Sequence, residues 1–333
     1  MTATDIDSAH KGGSIDHTED LMRVFVTGAS GWIGSAVVPE LIGSGHHVVG
    51  LARSDASAEA LAAAGAEVLR GTLDDLDTLQ AAAADSDGVI HLAFKHESAF
   101  SGDFVGAADA DRRAVEAFGE TLAGSGRPLV IASGVVGLAP GRPATERDGR
   151  GPDPAAAALG GGPLTRLGTA QLTLALAARG IRSSVVRLAP TCHGEGDNGF
   201  MATLVGIARD KGVSGYVGDG SNRWPATHRL DAAHLFPLAL EKAPAGSALH
   251  AVAEEGVPIR QVAEVIGRHL DLPVVAISPE DAAEHFGFLA VFIGADVPAS
   301  SASTRELLAW QPTQPGLIDD MDQGHYFRQP SVR

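Results

Sequence analysis

The feature that most constrains this chain is a regular alternation of strand-like and helical runs from residue 22 to residue 190. MRVFVTG (22–28), HHVVGLARS (46–54), AEVLRGTL (66–73), GVIHLAF (88–94), PLVIASG (128–134) and RSSVVRLAP (182–190) are short and rich in Val, Ile and Leu. Between them lie WIGSAVVPELIGSG (32–45), SAEALAAAG (57–65), TLQAAAADS (78–86), DADRRAVEAFGETLAGSG (109–126) and GGGPLTRLGTAQLTLAL (160–176), which have helical patterning. Strands of this buried type, each followed by a helix, predict an α/β fold with a doubly wound parallel sheet of Rossmann type. Beyond residue 190 the alternation breaks down, which predicts a smaller C-terminal lobe. There HGEGDNGF (193–200) and GDGSNRWP (218–225) read as loops. PIRQVAEVIGRHL (258–270) and DAAEHFGFL (281–289) read as helices, and ALHAVA (248–253) and PVVAI (273–277) as strands.

The first strand–helix junction carries Gly28, Gly31 and Gly34 in VFVTGASGWIGSAVV. Glycines there let the turn close and let backbone N–H groups approach a pyrophosphate, while the helix N-terminus supplies positive potential. Ser30, Trp32 and Ile33 complete that cradle. A dinucleotide is therefore expected at residues 28–34. An NAD-preferring site would end the second strand in a carboxylate that accepts from the ribose 2′-hydroxyl. This chain has Ala52, Arg53 and Ser54 instead, and a guanidinium suits a 2′-phosphate. The cofactor expected is NADP(H).

Composition excludes several other classes. A net charge of −16 disfavours nucleic acid. No apolar run reaches membrane-spanning length, so no membrane partner is expected. The single cysteine, Cys192, cannot form an internal disulfide and suits a cytoplasmic protein. The thirteen histidines show no His-x-x-x-His pair, so no metal is expected.

Four domain assignments follow. Residues 1–21 are expected to be a disordered tail, and residues 22–190 an NADP-binding Rossmann domain. Residues 138–165, rich in Pro, Gly and Ala, are expected to form a lid or crossover loop. Residues 191–333 are expected to be mainly a substrate-binding lobe interleaved with the end of the sheet.

Gly-x-x-Gly-x-x-Gly, HLAF (91–94), ASG (132–134), RLAPTCHGEGD (187–197), RWPATHRLDAAHL (223–235) and LLAWQPT (307–313) follow one another in this order. Together they resemble the extended and atypical short-chain dehydrogenase/reductases, the NAD-dependent epimerase/dehydratase family, over about residues 22–327. The resemblance implies that Thr72 and Leu73 flank the adenine and that Leu92 and Ala93 pass beneath the nicotinamide-side ribose. It also implies that Pro190 and Thr191 hold the carboxamide. Ser133 matches the family's catalytic Ser/Thr. A homodimer pairing through the helices after the fourth and fifth strands is a further family expectation.

The family's Tyr-x-x-x-Lys pair is missing. The two tyrosines are Tyr216 and Tyr326, followed four residues on by Gly220 and Pro330. Counting back from Arg187 puts the tyrosine position near Gly162 and the lysine position on Arg166. This resembles an atypical subgroup with His-x-x-x-Arg, except that glycine replaces the histidine. Arg166 can hold ribose hydroxyls and supply positive charge, but its high pKa makes it a poor acid. The proton is therefore assigned to His96 or water, with Lys95 as a substitute. His193, at the place of a family tyrosine, is expected at the cleft mouth. Asp111 is expected near the start of its helix, either capping it or in a water relay. Arg223, Trp224 and His228 are candidates for binding a polar or aromatic small-molecule substrate. Asp231 is expected to cap the following helix, Trp310 to pack the C-terminal segment and Cys192 to be inert.

The leading reading is an atypical NADP(H)-dependent oxidoreductase acting on a carbonyl or alcohol carbon. The alternatives are a non-catalytic NADP(H) sensor and a sugar-nucleotide-type epimerase or dehydratase.

Overall fold

A computed structural model describes residues 21–151 and 166–328. Gly162, the N-terminal tail and the second half of the 138–165 loop lie outside the described residues.

A parallel seven-stranded sheet forms the centre, in the order β10-β6-β5-β4-β1-β2-β3. Its strands are β1 (Arg23–Thr27), β2 (His47–Ala52), β3 (Glu67–Arg70), β4 (Gly88–His91), β5 (Pro128–Gly134), β6 (Arg182–Leu188) and β10 (Ser247–Ala251). Side chains of successive strand residues point to opposite faces. Val24, Val26, Ile90, Val130 and Val186 therefore enter one core, with α1 (Gly34–Gly43) and α8 (Arg229–Lys242). Phe25, Val89, Leu129, Ile131 and Val185 enter the other, with α3 (Leu76–Ala84), α5 (Phe104–Thr121) and α6 (Arg166–Ala175). Burial on both faces explains why the strands lack polar alternation. After β3 the chain returns to the other side of β1. The resulting crevice at the carboxyl ends of β1 and β4 is where ligands bind in sheets of this kind.

The lobe has its own apolar core around Met201 and Leu204 of α7 (Phe200–Lys211), with Trp224, Val262, Ile266 and Phe286. One of its strands begins inside an expected loop, at RWP (223–225), and another ends at His193, where a loop was expected to begin. β7 (Thr191–His193) and β9 (Arg223–His228) pair in parallel, and β11 (Glu254–Pro258) adds antiparallel to β9. Their short, mixed sequences hide a strand that neighbouring chain segments complete. β8 (Ser214–Val217) and β12 (Val274–Ile277) form a separate parallel pair. Trp310 is fully buried and its Nε1 donates to the Asp231 carbonyl at 3.0 Å, tying the C-terminal segment to α8 as expected. Among the described residues no helix is long and apolar enough to cross a membrane.

Two helix starts differ from the sequence reading. α5 begins at Phe104 with Asp103 as its cap, so Asp111 lies inside the helix and is buried. α8 is capped by His228, whose side chain accepts from the Leu230 N–H; Asp231 instead accepts from the N–H groups of Thr313 and Gln314.

Candidate active site

The glycine loop is a backbone cradle. Gly28 has φ +66°, and a Cβ there would lie 2.6 Å from Ala93 N. A Cβ on Gly34 would lie 2.1 Å from the Gly28 carbonyl oxygen, so both positions need glycine. A Cβ on Gly31 would meet only the Gly28 carbonyl oxygen, at 3.2 Å, so its other side is open. Ile33 stands at the cap of α1, where the Ser35 N–H donates to the Gly31 carbonyl and the Ala36 N–H to the Ile33 carbonyl, and the helix start adds positive potential. A dinucleotide pyrophosphate fits this arrangement, with Ser30 half-buried beside it. Trp32 leaves the loop toward the lobe. Its Nε1 donates to the Cys192 carbonyl at 3.1 Å, and the Arg229 guanidinium lies 4.4 Å from its ring centre.

At the end of β2, Arg53 is exposed and faces Glu97 at 3.3 Å. Ser54 accepts from Ser57 N–H and caps α2 (Asp55–Ala63). After β3, Thr72 donates to Asp75 and Leu73 is buried in the core. Lys95 also belongs to this end. Its Nζ lies 2.7 Å from an Asp74 oxygen, so the ammonium reaches across to the loop after β3. Lys95, expected as a substitute proton source, is thus paired with a carboxylate in a contact partly open to solvent.

Beneath the other end lies a buried chain of hydrogen bonds that the sequence reading missed. The Ala93 N–H donates to Thr27 Oγ1 at 3.3 Å. Thr27 Oγ1 lies 2.7 Å from His91 Nδ1, and His91 Nε2 lies 3.1 Å from Asp111 Oδ1. A carboxylate can only accept, so the Nε2 facing Asp111 carries a proton, and a neutral His91 then accepts from Thr27 at Nδ1. The chain pins the turn after β4, where half-buried Leu92 and Ala93 lie, to β1 and α5. HLAF held the one signal for it, a histidine in an otherwise apolar strand.

Arg166 begins α6 and reaches back to the sheet. Its Nη2 donates to the Ala132 carbonyl at 2.7 Å, and its guanidinium lies 4.3 Å from the Phe94 ring centre. Burial lowers its pKa and the Asp111 charge opposes that shift. Ser133 follows Ala132 and is mostly buried at the strand end. The His96 ring packs edge-on against Phe94, 5.0 Å between centres. Loss of hydration, then the Arg166 charge, pushes the His96 pKa below the usual histidine value. The fold thus brings Arg166 and His96 onto the same Phe94 ring, and ties Arg166 to the carbonyl of the residue that precedes Ser133.

The lobe-side candidates separate. Pro190 and Thr191 end the turn after β6, and Thr191 is buried. His193 is fully buried instead of lying at the cleft mouth. Its Nδ1 donates to Asp320 Oδ2 at 2.8 Å, while Asp320 Oδ1 accepts from His325 Nε2 at 3.1 Å. Burial raises the Asp320 pKa, but these bonds outweigh it and the net shift is downward. Tyr326 donates to Asp197 Oδ2 at 2.8 Å, and burial raises the Asp197 pKa. Trp224 is corrected too: it is 2% exposed, lies in the lobe core and donates to the Ala295 carbonyl. Arg223 is turned outward onto Asp296 at 3.0 Å, so neither residue forms a substrate plate. His228 remains half-buried, its ring 5.3 Å from that of His193. Burial holds the Cys192 thiol at a pKa of about 12, consistent with an inert residue.

This fold and this glycine cradle define a nucleotide-binding Rossmann protein. The NAD dependent epimerase/dehydratase family model matches residues 24–252, and the chain belongs to that family. It is 47% identical to an uncharacterised protein of Schizosaccharomyces pombe, over 92% of this chain and 100% of that protein. It is 30% identical to 4-hydroxy-2-methyl-3-oxo-4-farnesyl-3,4-dihydroquinoline-1-oxide ketoreductase of Stigmatella aurantiaca, over 68% of this chain and 66% of that protein. Among solved structures, MoeE5 in complex with UDP-glucose and NAD shares the fold with TM-score 0.69 and 23% identity, over 91% of this chain and 97% of that one.

Proposed function

We propose that this protein is an NADP(H)-dependent oxidoreductase acting on a carbonyl or alcohol carbon of a small organic molecule. Family membership and a relative named as a ketoreductase support the reaction class. The observation that carries the reading is the cluster at the ends of β4 and β5: Arg166 fixed on Ala132 O, with Ser133 beside it and His96 against the same Phe94 ring. When bound, the nicotinamide supplies or accepts a hydride at C4. The Ser133 hydroxyl donates to the substrate oxygen. Arg166 holds the ribose hydroxyls, and its charge stabilises negative charge developing on that oxygen. A ring nitrogen of His96, neutral near pH 7, accepts the proton in alcohol oxidation and returns it in carbonyl reduction. Arg53, with no carboxylate ending β2, favours the 2′-phosphate. Thr72, Leu73, Leu92, Ala93, Pro190 and Thr191 line the dinucleotide path. Half-buried His228 borders the substrate side.

The working unit proposed is a cytoplasmic homodimer. Phe104 and Val105, 46% and 59% exposed on the first turn of α5, would pack between its protomers.

The test is NADPH oxidation across a panel of aldehydes and ketones, with Arg166→Ala beside the parent. Turnover with at least one carbonyl is expected, and Arg166→Ala should lower kcat/KM about 100-fold by losing charge at the reacting oxygen. Absence of turnover alongside tight NADPH binding would instead support the sensor reading, which the missing Tyr-x-x-x-Lys pair favours.

A further inference from the structure

The adenine end of the cleft is a rim of cations, each facing a carboxylate. Arg70 pairs with Asp55, and Lys95 with Asp74 at 2.7 Å. Arg113 pairs with Asp109 at 3.1 Å and reaches Asp74 at 3.5 Å. Arg53 has the loosest arrangement. Its two contacts to Glu97 are 3.3 and 3.5 Å, and the two side chains are 67% and 82% exposed. Asp55 and Asp74 are occupied by other cations, so Glu97 is the carboxylate that holds Arg53. Glu97 arrives from another element, α4 (His96–Phe100), which follows β4. It faces a guanidinium placed where the second strand ends, the position that recognises the ribose 2′-substituent.

We propose that Glu97 determines cofactor specificity by competing with the 2′-phosphate for Arg53. This inference rests on the NADP(H) reading above. In the cofactor-free protein Glu97 neutralises Arg53. A 2′-phosphate carries more charge than a carboxylate and binds a guanidinium with the same bidentate geometry, so it displaces Glu97. The exposed pair is weak, which keeps the exchange inexpensive. The displaced carboxylate stays near the phosphate and repels it. A cofactor with a free 2′-hydroxyl neither needs Arg53 nor meets that repulsion. Glu97 thus lowers the preference for NADPH without affecting NADH.

Dissociation constants for NADPH and NADH, measured by calorimetry at one fixed ionic strength, test this in the full-length protein, Glu97→Gln, Arg53→Ala and the double variant. Both side chains are on the surface, and matching thermal midpoints would verify folding. Glu97→Gln should tighten NADPH by about three- to tenfold, the scale of an exposed charge pair plus close repulsion, and leave NADH within about twofold. In the Arg53→Ala background the same substitution should gain clearly less, because nothing is left to compete for. An equal change for both cofactors, no change for either, or the full gain without Arg53 would each overturn competition at Arg53. If Arg53→Ala itself leaves NADPH affinity unchanged, the NADP(H) reading fails, and that result is separable from a failure of Glu97 alone.

Discussion

The charged rim at the ends of β2 and β3 and the junction beneath the lobe use similar charged groups in opposite ways. At the rim, Arg53, Lys95 and their carboxylates meet solvent, and water competes for every contact. At the junction, His193 and Asp320 are 0% and 3% exposed, so each depends on the other. Exposed pairs can exchange a carboxylate for a ligand phosphate at little cost. Buried pairs cannot lose a member without leaving a desolvated partner behind. The first kind suits recognition. The second holds the C-terminal segment 317–327 against β7.

The comparison can be broken most directly at Asp320. Asp320→Ala strips partners from His193 and His325 together, and should lower unfolding free energy by about 3 kcal/mol in urea titration. A midpoint matching the parent would show that the junction is not held by this carboxylate.

A second buried group gives a pH test. His250 accepts from Arg187 at 3.4 Å, and its Nδ1 donates to the Ser300 carbonyl at 2.8 Å. Burial, then the Arg187 charge, depresses its pKa to about 4. The unfolded chain binds the proton near pH 6.5, whereas the folded one does not until about pH 4. The stability from neutral His250 is therefore present above pH 6.5 and is lost as pH falls toward 4. The slope should approach about 1.4 kcal/mol per pH unit. Urea midpoints for parent and His250→Gln, compared from pH 7 to pH 4.5, should converge as pH falls; parallel curves would remove His250 from the account.

The smallest effect belongs to the rim. Lys95→Ala removes an ion pair that is half open to water, and should change unfolding free energy by less than about 1 kcal/mol. A larger loss in the same titration would mean that rim pairs also hold the fold.

The Rossmann half was legible because its signals are local. Gly28 and Gly34 are dictated by backbone clashes within one turn and with the turn after β4, and strands buried on both faces carry an apolar run. The lobe was less so. RWPATH contains proline, arginine and histidine and has no strand-like period, yet it pairs with β7 and β11. Trp224, read as a substrate plate, fills a core whose other members lie up to a hundred residues away. Among the site residues, sequence placed Ser133, Arg166 and His96 near one another. It gave no sign of Phe94 as the ring that Arg166 and His96 share, or of the Thr27–His91–Asp111 chain beneath.

The sequence by itself determined the parallel sheet, the glycine cradle and the arginine that ends β2, because each is set by residues close along the chain. Only the tertiary structure decided which charges are partners. Lys95 met Asp74, His193 was drawn inside by Asp320, and Arg53 met Glu97. Those choices depend on which carboxylate folding brings within reach and on how much water remains around the pair.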